Sequence, residues 1–195
     1  MRRTIDWLLL IIGVACLGTY IVYTVQAHYY QHELNESFDY MVRVPVPAAK
    51  PDVKASIPPL KEGDLVGRLE IPRLDLHVMV LEGVASQTLR IAAGHIPGTA
   101  IPGHSGNIGI AGHRDSFFRE LSQIEPNDRI RFRTPSKTMM YRVVSTKIVM
   151  PDDVSVLSPT ETDTLTLVTC YPFYYIGPAP KRFIVKAAAD SVSEN

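Results

Sequence analysis

The chain has 195 residues, with 20 basic and 20 acidic side chains and a hydrophobic fraction of 46%. This length accommodates one folded domain with appendages, and the apolar content is sufficient for a hydrophobic core. The formal net charge of zero, without a basic or acidic tail, argues against a nucleic-acid-binding protein.

The N-terminus predicts an uncleaved membrane anchor. Residues 7–25 read WLLLIIGVACLGTYIVYTV and carry no charge, and about 20 apolar residues cross a bilayer as a helix. A cleavable signal peptide has a shorter apolar run and a small-residue cleavage site, whereas HYYQHE follows here. Arg2 and Arg3 precede the run, and the next basic residue is Arg43. The sequence therefore predicts a single-pass protein of the cytoplasmic membrane, with its N-terminus inside and the rest outside.

Four segments follow from these features. Residues 1–26 form a cytoplasmic stub and the anchor, and residues 27–62 form a linker that contains five prolines. The stretch HYYQHELNESFDY at the start of that linker is compatible with a continuation of the anchor helix. Residues 63–189 form the folded domain, and residues 190–195 form a tail.

The folded domain is predicted to be mostly β. Seven or eight short strands in this length favour a barrel or a sandwich. One helix is predicted over SFFRELSQI, with Phe117, Leu121 and Ile124 on one stripe and Asp115 or Ser116 as its N-cap. A second helix fits ASQTLRIAA. The apolar runs that predict the strands are LVGRLEI, LHVMVLEGV, NIGIAGH, RIRFRT, MMYRVVSTKIVM, TLTLVTC and RFIVKA.

Alternation along two of these strands places a thiol beside a guanidinium. In TLTLVTCYPF, Leu165 and Leu167 share the core face, so Cys170 faces away from the core. In KRFIVKA, the same alternation turns Arg182 outward. If the two strands pair as a hairpin across the loop between them, Cys170 and Arg182 meet off the core.

The strand NIGIAGHR adds an imidazole to the same side. Ile108 and Ile110 fit the core, which leaves His113 on the outer face. A register slip of one residue would invert any of these placements. Cys16 lies in the anchor, so Cys170 is predicted to be an unpaired thiol outside the membrane.

A thiol, an imidazole and a guanidinium together predict acyl-transfer chemistry. The thiolate attacks a carbonyl, and histidine supplies the proton that an amine leaving group needs. Arginine lowers the thiol pKa and stabilises the oxyanion. Taken singly, a free cysteine is more often a small buried hydrophobe and a lone histidine a structural group, so the inference depends on the three lying together.

The segments NIGIAGHRDSFFREL, TLTLVTCYPF and KRFIVKA resemble the sortase signature, and GHRDSFF with the plain C-terminus is most similar to class D. The resemblance implies a closed eight-stranded β-barrel behind a membrane anchor. It also implies a cysteine transpeptidase that cleaves an LPxTG- or LPxTA-like sorting signal of secreted proteins through a thioester. The acyl group then passes to an amine of a cell-wall precursor or another protein. By motif position, Cys170 is the nucleophile, His113 the general acid and base, and Arg182 the oxyanion and substrate clamp.

The sorting peptide is predicted to lie in a groove over the outer strand faces. Val168, Thr169, Ile184 and Tyr171 are the predicted substrate-binding residues. The loop aromatics Tyr171, Phe173, Tyr174 and Tyr175 either wall this groove or only pack the loop.

No cofactor or metal is predicted. His95, His104 and His113 follow each other at intervals of nine, which matches no metal-site pattern, and Asp152, Asp153 and Asp163 are scattered. His95 and His104 are expected to be structural or to line the groove. Asp115 is expected to cap a helix rather than to orient His113.

Two other functions remain open from the sequence. A hydrolytic cysteine peptidase would use the same three residues, with water in place of the amine. A non-enzymatic scaffold of the cell envelope would keep the barrel without turnover.

Overall fold

The computed structural model describes residues 2–43 and 60–190. It contains a closed barrel of eight strands in the order β1-β2-β3-β4-β7-β8-β6-β5, with β1 pairing with β5 to close it. The strands are β1 Leu65–Ile71, β2 Leu76–Glu82, β3 Ala93–His95, β4 Asn107–Ala111, β5 Arg129–Arg133, β6 Thr138–Val149, β7 Thr164–Tyr171 and β8 Lys181–Ala189. The helices are α1 Arg2–Arg43 and α2 Ser86–Ile91, with short 3-10 helices at Pro72–Leu74, Arg119–Gln123 and Val154–Leu157.

The mostly β prediction and the eight-stranded barrel are confirmed. All seven predicted runs form strands, and ASQTLRIAA contains α2. The eighth strand, β3, is three residues long and pairs in parallel with β2. Its sequence, Ala-Gly-His, is too short to show alternation, so the sequence does not predict this strand.

The helix predicted over SFFRELSQI is wrong in type. The segment forms a 3-10 helix over Arg119–Gln123 that follows Phe118 and has no side-chain cap, so neither Asp115 nor Ser116 is an N-cap. Phe118, Leu121 and Ile124 are the buried residues, at intervals of three, and Phe117 is only partly buried. A repeat of three matches the 3-10 helix, which has 3.0 residues per turn.

The N-terminal helix is long and apolar enough to cross a bilayer. It includes an 18-residue window of mean hydropathy 2.3, none of which is buried against the barrel. It continues without interruption to Arg43, through residues 27–43 of the predicted linker. Residues 44–59 of that linker and residues 191–195 of the tail lie outside the described part of the chain.

The barrel interior is filled by alternating residues of the strands. Leu165 and Leu167 of β7 and Ile108 and Ile110 of β4 belong to one core cluster, with Val185 of β8. These residues are buried because they occupy the inward face of their strands, and burial of each such side chain stabilises the fold by about 2 kcal/mol. The predicted alternation of β4 and β7 is therefore the alternation that the core uses.

A buried carboxylate ties the turn after β1 to the start of β5. Asp128 accepts hydrogen bonds from Nε of Arg73 and, at 2.6 Å, from its Nη2. It also accepts one from the backbone N–H of Glu125 at 2.8 Å. The Arg73 side chain is the main cause that holds the pKa of Asp128 below 3.8, and the Glu125 bond acts in the same direction.

Asp128→Asn should therefore destabilise the protein in a pH-dependent way. We expect the free energy of unfolding to fall by about 2 kcal/mol near neutral pH, because a charge-assisted bond is lost. A carboxylate with a lowered folded pKa stabilises above its unfolded pKa, and the stabilisation is lost as the pH falls below 3.8. Urea unfolding of the full chain in detergent, from about pH 7 to about pH 3, measures this difference.

The matched control is Asp152→Asn, an exposed carboxylate in the β6–β7 connection. Its unfolding free energy should follow that of the unmodified protein at each pH. If Asp128→Asn and the unmodified protein lose stability in parallel as the pH falls, the assigned role of Asp128 is wrong.

Candidate active site

The site is built at the end of β7, where this strand lies between β4 and β8. In the antiparallel pairing of β7 with β8, Cys170 is the direct partner of Arg182 and Val168 the partner of Ile184. In the parallel pairing of β7 with β4, Val168 is the partner of Ala111. The predicted hairpin between Cys170 and Arg182 is therefore present.

The pairing of β4 with β7 continues past the last residue of β4. The backbone N–H of Gly112 donates to the carbonyl of Val168 at 3.1 Å, and the Thr169 hydroxyl donates to the carbonyl of Gly112 at 2.7 Å. His113 is two residues past Ala111 and Cys170 two residues past Val168, so the same register, if continued, would set these two residues side by side. The three predicted catalytic residues thus belong to adjacent positions on three neighbouring strands or strand ends.

Gly112 is required where β4 leaves the barrel. A Cβ atom at this position would lie 2.7 Å from the ring of Phe118, which is fully buried. The chain then turns back, and the N–H of Phe118 donates to the carbonyl of His113 at 2.9 Å. The missing side chain lets the backbone pass against the aromatic ring and carries His113 to the surface.

The three side chains lie outside the hydrophobic core. Cys170 and Arg182 are partly exposed and His113 is exposed. The Nη1 of Arg182 donates to the carbonyls of Ala179 at 3.3 Å and Lys181 at 3.0 Å. Within residues 2–43 and 60–190, its Nε and Nη2 have no hydrogen-bond partner, so these donors remain available to a bound group.

The outer face of β4, β7 and β8 is covered below the site. Asn107 donates through Nδ2 to the carbonyls of Val156 and Ser158 and accepts through Oδ1 from the Thr166 hydroxyl at 2.6 Å. Lys186 donates from Nζ to the carbonyl of Val156 at 2.5 Å, and burial lowers its pKa. These contacts hold the β6–β7 connection against the strands.

Two of the four predicted substrate-binding residues are buried in the structure, on opposite faces of the sheet: Ile184 lies on the outer face, whereas Thr169 shares the inward face of β7 with Leu165 and Leu167. Ile184 is 1% exposed and Thr169 is 2% exposed, with the hydroxyl of Thr169 committed to Gly112. Neither side chain lines an open groove. Val168 and Tyr171 remain partly exposed. The alternation along β7 assigns Thr169 to the inward face, whereas the burial of Ile184 on the outer face is not evident from the sequence pattern.

The large apolar and aromatic residues at the end of β7 and in the β7–β8 loop divide into two groups. Tyr171 and Phe173 pack against Phe183, with ring centroids 6.4 and 5.2 Å apart. Tyr174 is 85% exposed and Ile176 is fully exposed. The first group packs the loop against the barrel, and the second group leaves the loop tip in solvent.

Arg114 is a positioning residue that the sequence analysis missed. Its Nη1 donates to the carbonyl of Pro172 at 2.9 Å, and its Nη2 donates to those of Tyr175 at 2.8 Å and Gly177 at 3.0 Å. The guanidinium also lies 5.6 Å from the centroid of the Tyr175 ring. The residue after His113 therefore holds the β7–β8 loop beside the site. The feature of the sequence that could have pointed to Arg114 is its position directly after the candidate catalytic residue His113.

His95 and His104, the other two histidines of the set spaced at intervals of nine, are separate from the site. His95 is buried, with Nδ1 2.6 Å from Glu82 Oε2 and Nε2 3.0 Å from the carbonyl of Ala100. It joins β3 to β2, which is a structural role, while His104 is exposed in a turn. Asp115 makes no side-chain hydrogen bond to any described residue. In the described part of the chain, no three His, Cys, Asp or Glu side chains converge as metal ligands.

Comparison with known families identifies the fold and the class of enzyme. A sequence model of the sortase domain matches residues 69–190, more than half of the chain. The chain belongs to the sortase family. Sortases are cysteine transpeptidases, so this protein is an enzyme of that class. This sortase is similar to Sortase D of Bacillus subtilis (strain 168), with 38% identity over 133 residues, which cover 68% of this chain and 67% of that protein.

Solved structures agree with this assignment. A Sortase D5 transpeptidase from Clostridium perfringens superposes with a TM-score of 0.71 at 26% identity, covering 84% of this sortase and 99% of that chain. Sortase A from Corynebacterium diphtheriae superposes with a TM-score of 0.65 over 87% of this sortase and 86% of that chain. At 24% identity the latter similarity concerns the fold alone.

Arg114→Ala should loosen the β7–β8 loop of this sortase. We expect chymotrypsin to cut after Tyr174 or Tyr175 about tenfold faster, because about 1.4 kcal/mol of lost hydrogen bonding corresponds to a factor of ten. Arg114→Lys should lie between the two, since one ammonium does not match the spacing of three carbonyls. Limited proteolysis of the full chain, with cut sites read by mass spectrometry, measures the rates.

Arg129→Ala, which removes an exposed arginine of β5, is the control and should leave the cleavage rate unchanged. A cleavage rate for Arg114→Ala equal to that of this control would show that the loop does not depend on Arg114.

Proposed function

We propose that this sortase uses Cys170 as nucleophile, His113 as general acid and base, and Arg182 as the oxyanion and substrate clamp. The observation that supports this assignment is the register at the end of β7, in which Cys170 pairs with Arg182 and Val168 pairs with Ala111, two residues before His113. The substrate would be an LPxTG- or LPxTA-like sorting signal of a secreted protein. The acceptor would be an amine of a cell-wall precursor or of another protein.

The first half-reaction forms a thioester. The Cys170 proton passes to His113, and the thiolate attacks the carbonyl carbon of the threonine in the signal. The Nε and Nη2 donors of Arg182 would hold the oxyanion of the tetrahedral intermediate. When the carbon–nitrogen bond breaks, His113 gives its proton to the leaving amine.

The second half-reaction reverses these roles. The amine of the acceptor attacks the thioester carbonyl and loses a proton to His113, and Arg182 again holds the oxyanion. The carbon–sulfur bond then breaks, and the Cys170 sulfur regains its proton from His113. With water in place of the amine the product would be a free acid, so product analysis separates transfer from hydrolysis.

The peptide would approach the site from the strand ends. The outer face below Cys170 is covered by the β6–β7 connection, whereas Val168 and Tyr171 remain partly exposed near the thiol. An extended peptide would therefore cross the end of the barrel under the β7–β8 loop. The contacts of Arg114 to that loop support this path, because they keep the loop in place.

The membrane arrangement follows from the N-terminal charge. Arg2 and Arg3 precede the apolar part of α1, and no basic residue follows before Arg43. The positive-inside rule then favours an N-terminus in the cytoplasm and a barrel on the other side of the cytoplasmic membrane. This location would expose the barrel to secreted proteins and to the precursors of the cell envelope.

Cys170→Ala should abolish cleavage of LPxTG- and LPxTA-type peptides. The loss should exceed about a thousandfold, because the covalent route is removed. A fluorogenic peptide assay with the full chain in detergent, with and without an added amine, measures cleavage and identifies the products by mass spectrometry.

Cys16→Ala is the matched control, since it removes the second cysteine of the chain, which lies in α1. It should retain the cleavage rate of the unmodified enzyme. Cleavage by Cys170→Ala at a comparable rate would contradict the assignment. Failure of a thiol-directed peptide analogue to label Cys170 would favour a scaffold.

The orientation is tested by the same thiol. In intact cells that carry the Cys16→Ala form, a membrane-impermeant maleimide should label Cys170, because the side chain is partly exposed and the barrel would lie outside. The variant that carries both Cys16→Ala and Cys170→Ala has no cysteine and gives the background level of maleimide labelling. Labelling that appears only after permeabilisation would place the barrel in the cytoplasm and reverse the proposed topology.

A further inference from the structure

The helix α1 is attached to the barrel directly after its apolar segment. The Gln31 side chain donates from Nε2 to the carbonyl of Ile91 at 2.5 Å and accepts through Oε1 from the N–H of Met79 at 3.0 Å. These two bonds join α1 to the end of α2 and to the middle of β2. One side chain therefore satisfies two backbone groups that belong to different parts of the domain.

Further along the same helix, a second set of contacts fixes its direction. Phe38 is 1% exposed, and the Arg68 guanidinium lies 5.0 Å from the centroid of its ring. The Nη1 of Arg68 donates to Asn35 Oδ1 at 3.3 Å and to Asp39 Oδ1 at 3.2 Å. The contacts extend from Gln31 to Asp39, more than two turns of a helix with 3.6 residues per turn. Helix and barrel are thereby held at a defined angle.

This attachment sets the height of the barrel above the bilayer. Gln31 is six residues after Val25, the end of the predicted span, and this distance is about 9 Å along the helix. The side of the barrel that faces α1 is therefore at the level of the lipid headgroups. Tyr20 and Tyr23 lie near the same end of the span, where tyrosines of membrane proteins are enriched.

A cleft of ≈ 810 Å³ lies between α1 and this side of the barrel. Tyr20 and Tyr23 line it from the helix, and Arg90, His113 and Arg119 line it from the barrel. The guanidinium of Arg90 lies 5.7 Å from the centroid of the Tyr23 ring. His113, the proposed general acid and base, thus also borders the space beside the anchor helix.

The charges that line the cleft favour an anion. The cleft is lined by two guanidinium groups, those of Arg90 and Arg119, and by one carboxylate, that of Asp115. Arg119 uses its Nη2 for the backbone carbonyl of Asp115 at 3.0 Å, so its positive charge is not neutralised by that bond. Guanidinium groups match the oxygen atoms of phosphate because their N–H donors lie in one plane.

We propose that this cleft binds the phosphate group of an anionic membrane lipid, with Arg90 and Arg119 as its ligands and Tyr20 and Tyr23 beside its glycerol region. The proposal rests on the proposed function in one respect, that α1 crosses the bilayer. A lipid is favoured over a soluble anion because one wall of the cleft is the anchor helix itself, along which acyl chains pack.

The test compares lipids on the full chain. The protein in detergent is mixed with dioleoyl phosphatidylglycerol or dioleoyl phosphatidylcholine, and the bound copies are counted by native mass spectrometry. The unmodified protein should retain phosphatidylglycerol in preference. The double variant R90Q/R119Q should retain about tenfold less of it, since each cation near the membrane surface contributes to the binding of anionic lipid.

The control R129Q/K137Q also removes two positive charges, from exposed residues of β5 and of the β5–β6 turn. It should retain phosphatidylglycerol like the unmodified protein. If both double variants lost phosphatidylglycerol to the same extent, the loss would be an effect of net charge alone, and the proposed site would be wrong. Displacement of the lipid by an equal concentration of glycerol phosphate would show a site for a soluble anion and overturn the lipid assignment.

Peptide cleavage by the same samples separates this proposal from the proposed function. Lipid retention is measured without substrate, so an enzyme that binds the lipid but cleaves no sorting peptide would contradict the function and support the site. An enzyme that cleaves the peptide but shows no preference between the two lipids would contradict the site alone.

Discussion

The position of β7 between β4 and β8 is the constraint on which the rest of the site depends. Cys170 pairs with Arg182 because β8 returns antiparallel, and the parallel pairing of β4 with β7 brings the end of β4, two residues before His113, to the level of Val168. A slip of one residue in either pairing would turn Cys170 toward the core. Leu165 and Leu167 oppose such a slip from inside the barrel, and the bond from Thr169 to Gly112 opposes it at the strand end.

The covered outer face explains why the chemistry lies at the end of the strands. Asn107, Thr166 and Lys186 would be exposed polar residues on an open sheet, but here Asn107 and Lys186 donate to the β6–β7 connection and Thr166 donates to Asn107. Their hydrogen bonds satisfy groups that burial would otherwise leave unpaired. The wall of the barrel is consequently covered on both faces at this level, and free space begins at Cys170 and the β7–β8 loop.

The strands and the pairing of Cys170 with Arg182 were predictable from the sequence because they depend on alternation and on a hairpin, whereas His113 lies beyond the end of β4. Ile108 and Ile110 in β4, like Leu165 and Leu167 in β7, alternate with outward residues, and this pattern is local. The sortase resemblance predicted the closure of the barrel, which alternation left open between barrel and sandwich.

What the sequence did not show depends on contacts between distant segments. Ile184 alternates like a groove residue, yet it is 1% exposed, and no local pattern predicts this burial. Leu121 lies four positions after Phe117 and three after Phe118, so the sequence fits an α-helix and a 3-10 helix equally until the structure shows that Phe118 is the buried residue. Arg114 acts on residues more than fifty positions away, which a local motif does not reveal.

The uninterrupted course of α1 has a mechanical consequence. A transmembrane helix adjusts its tilt when the thickness of the bilayer differs from the length of its apolar part. If α1 crosses the bilayer as proposed, the bonds of Gln31 and Arg68 would transmit such a rotation to the barrel, because α1 is continuous from Arg2 to Arg43. In thin and thick membranes the barrel would then stand at different inclinations to the lipid surface.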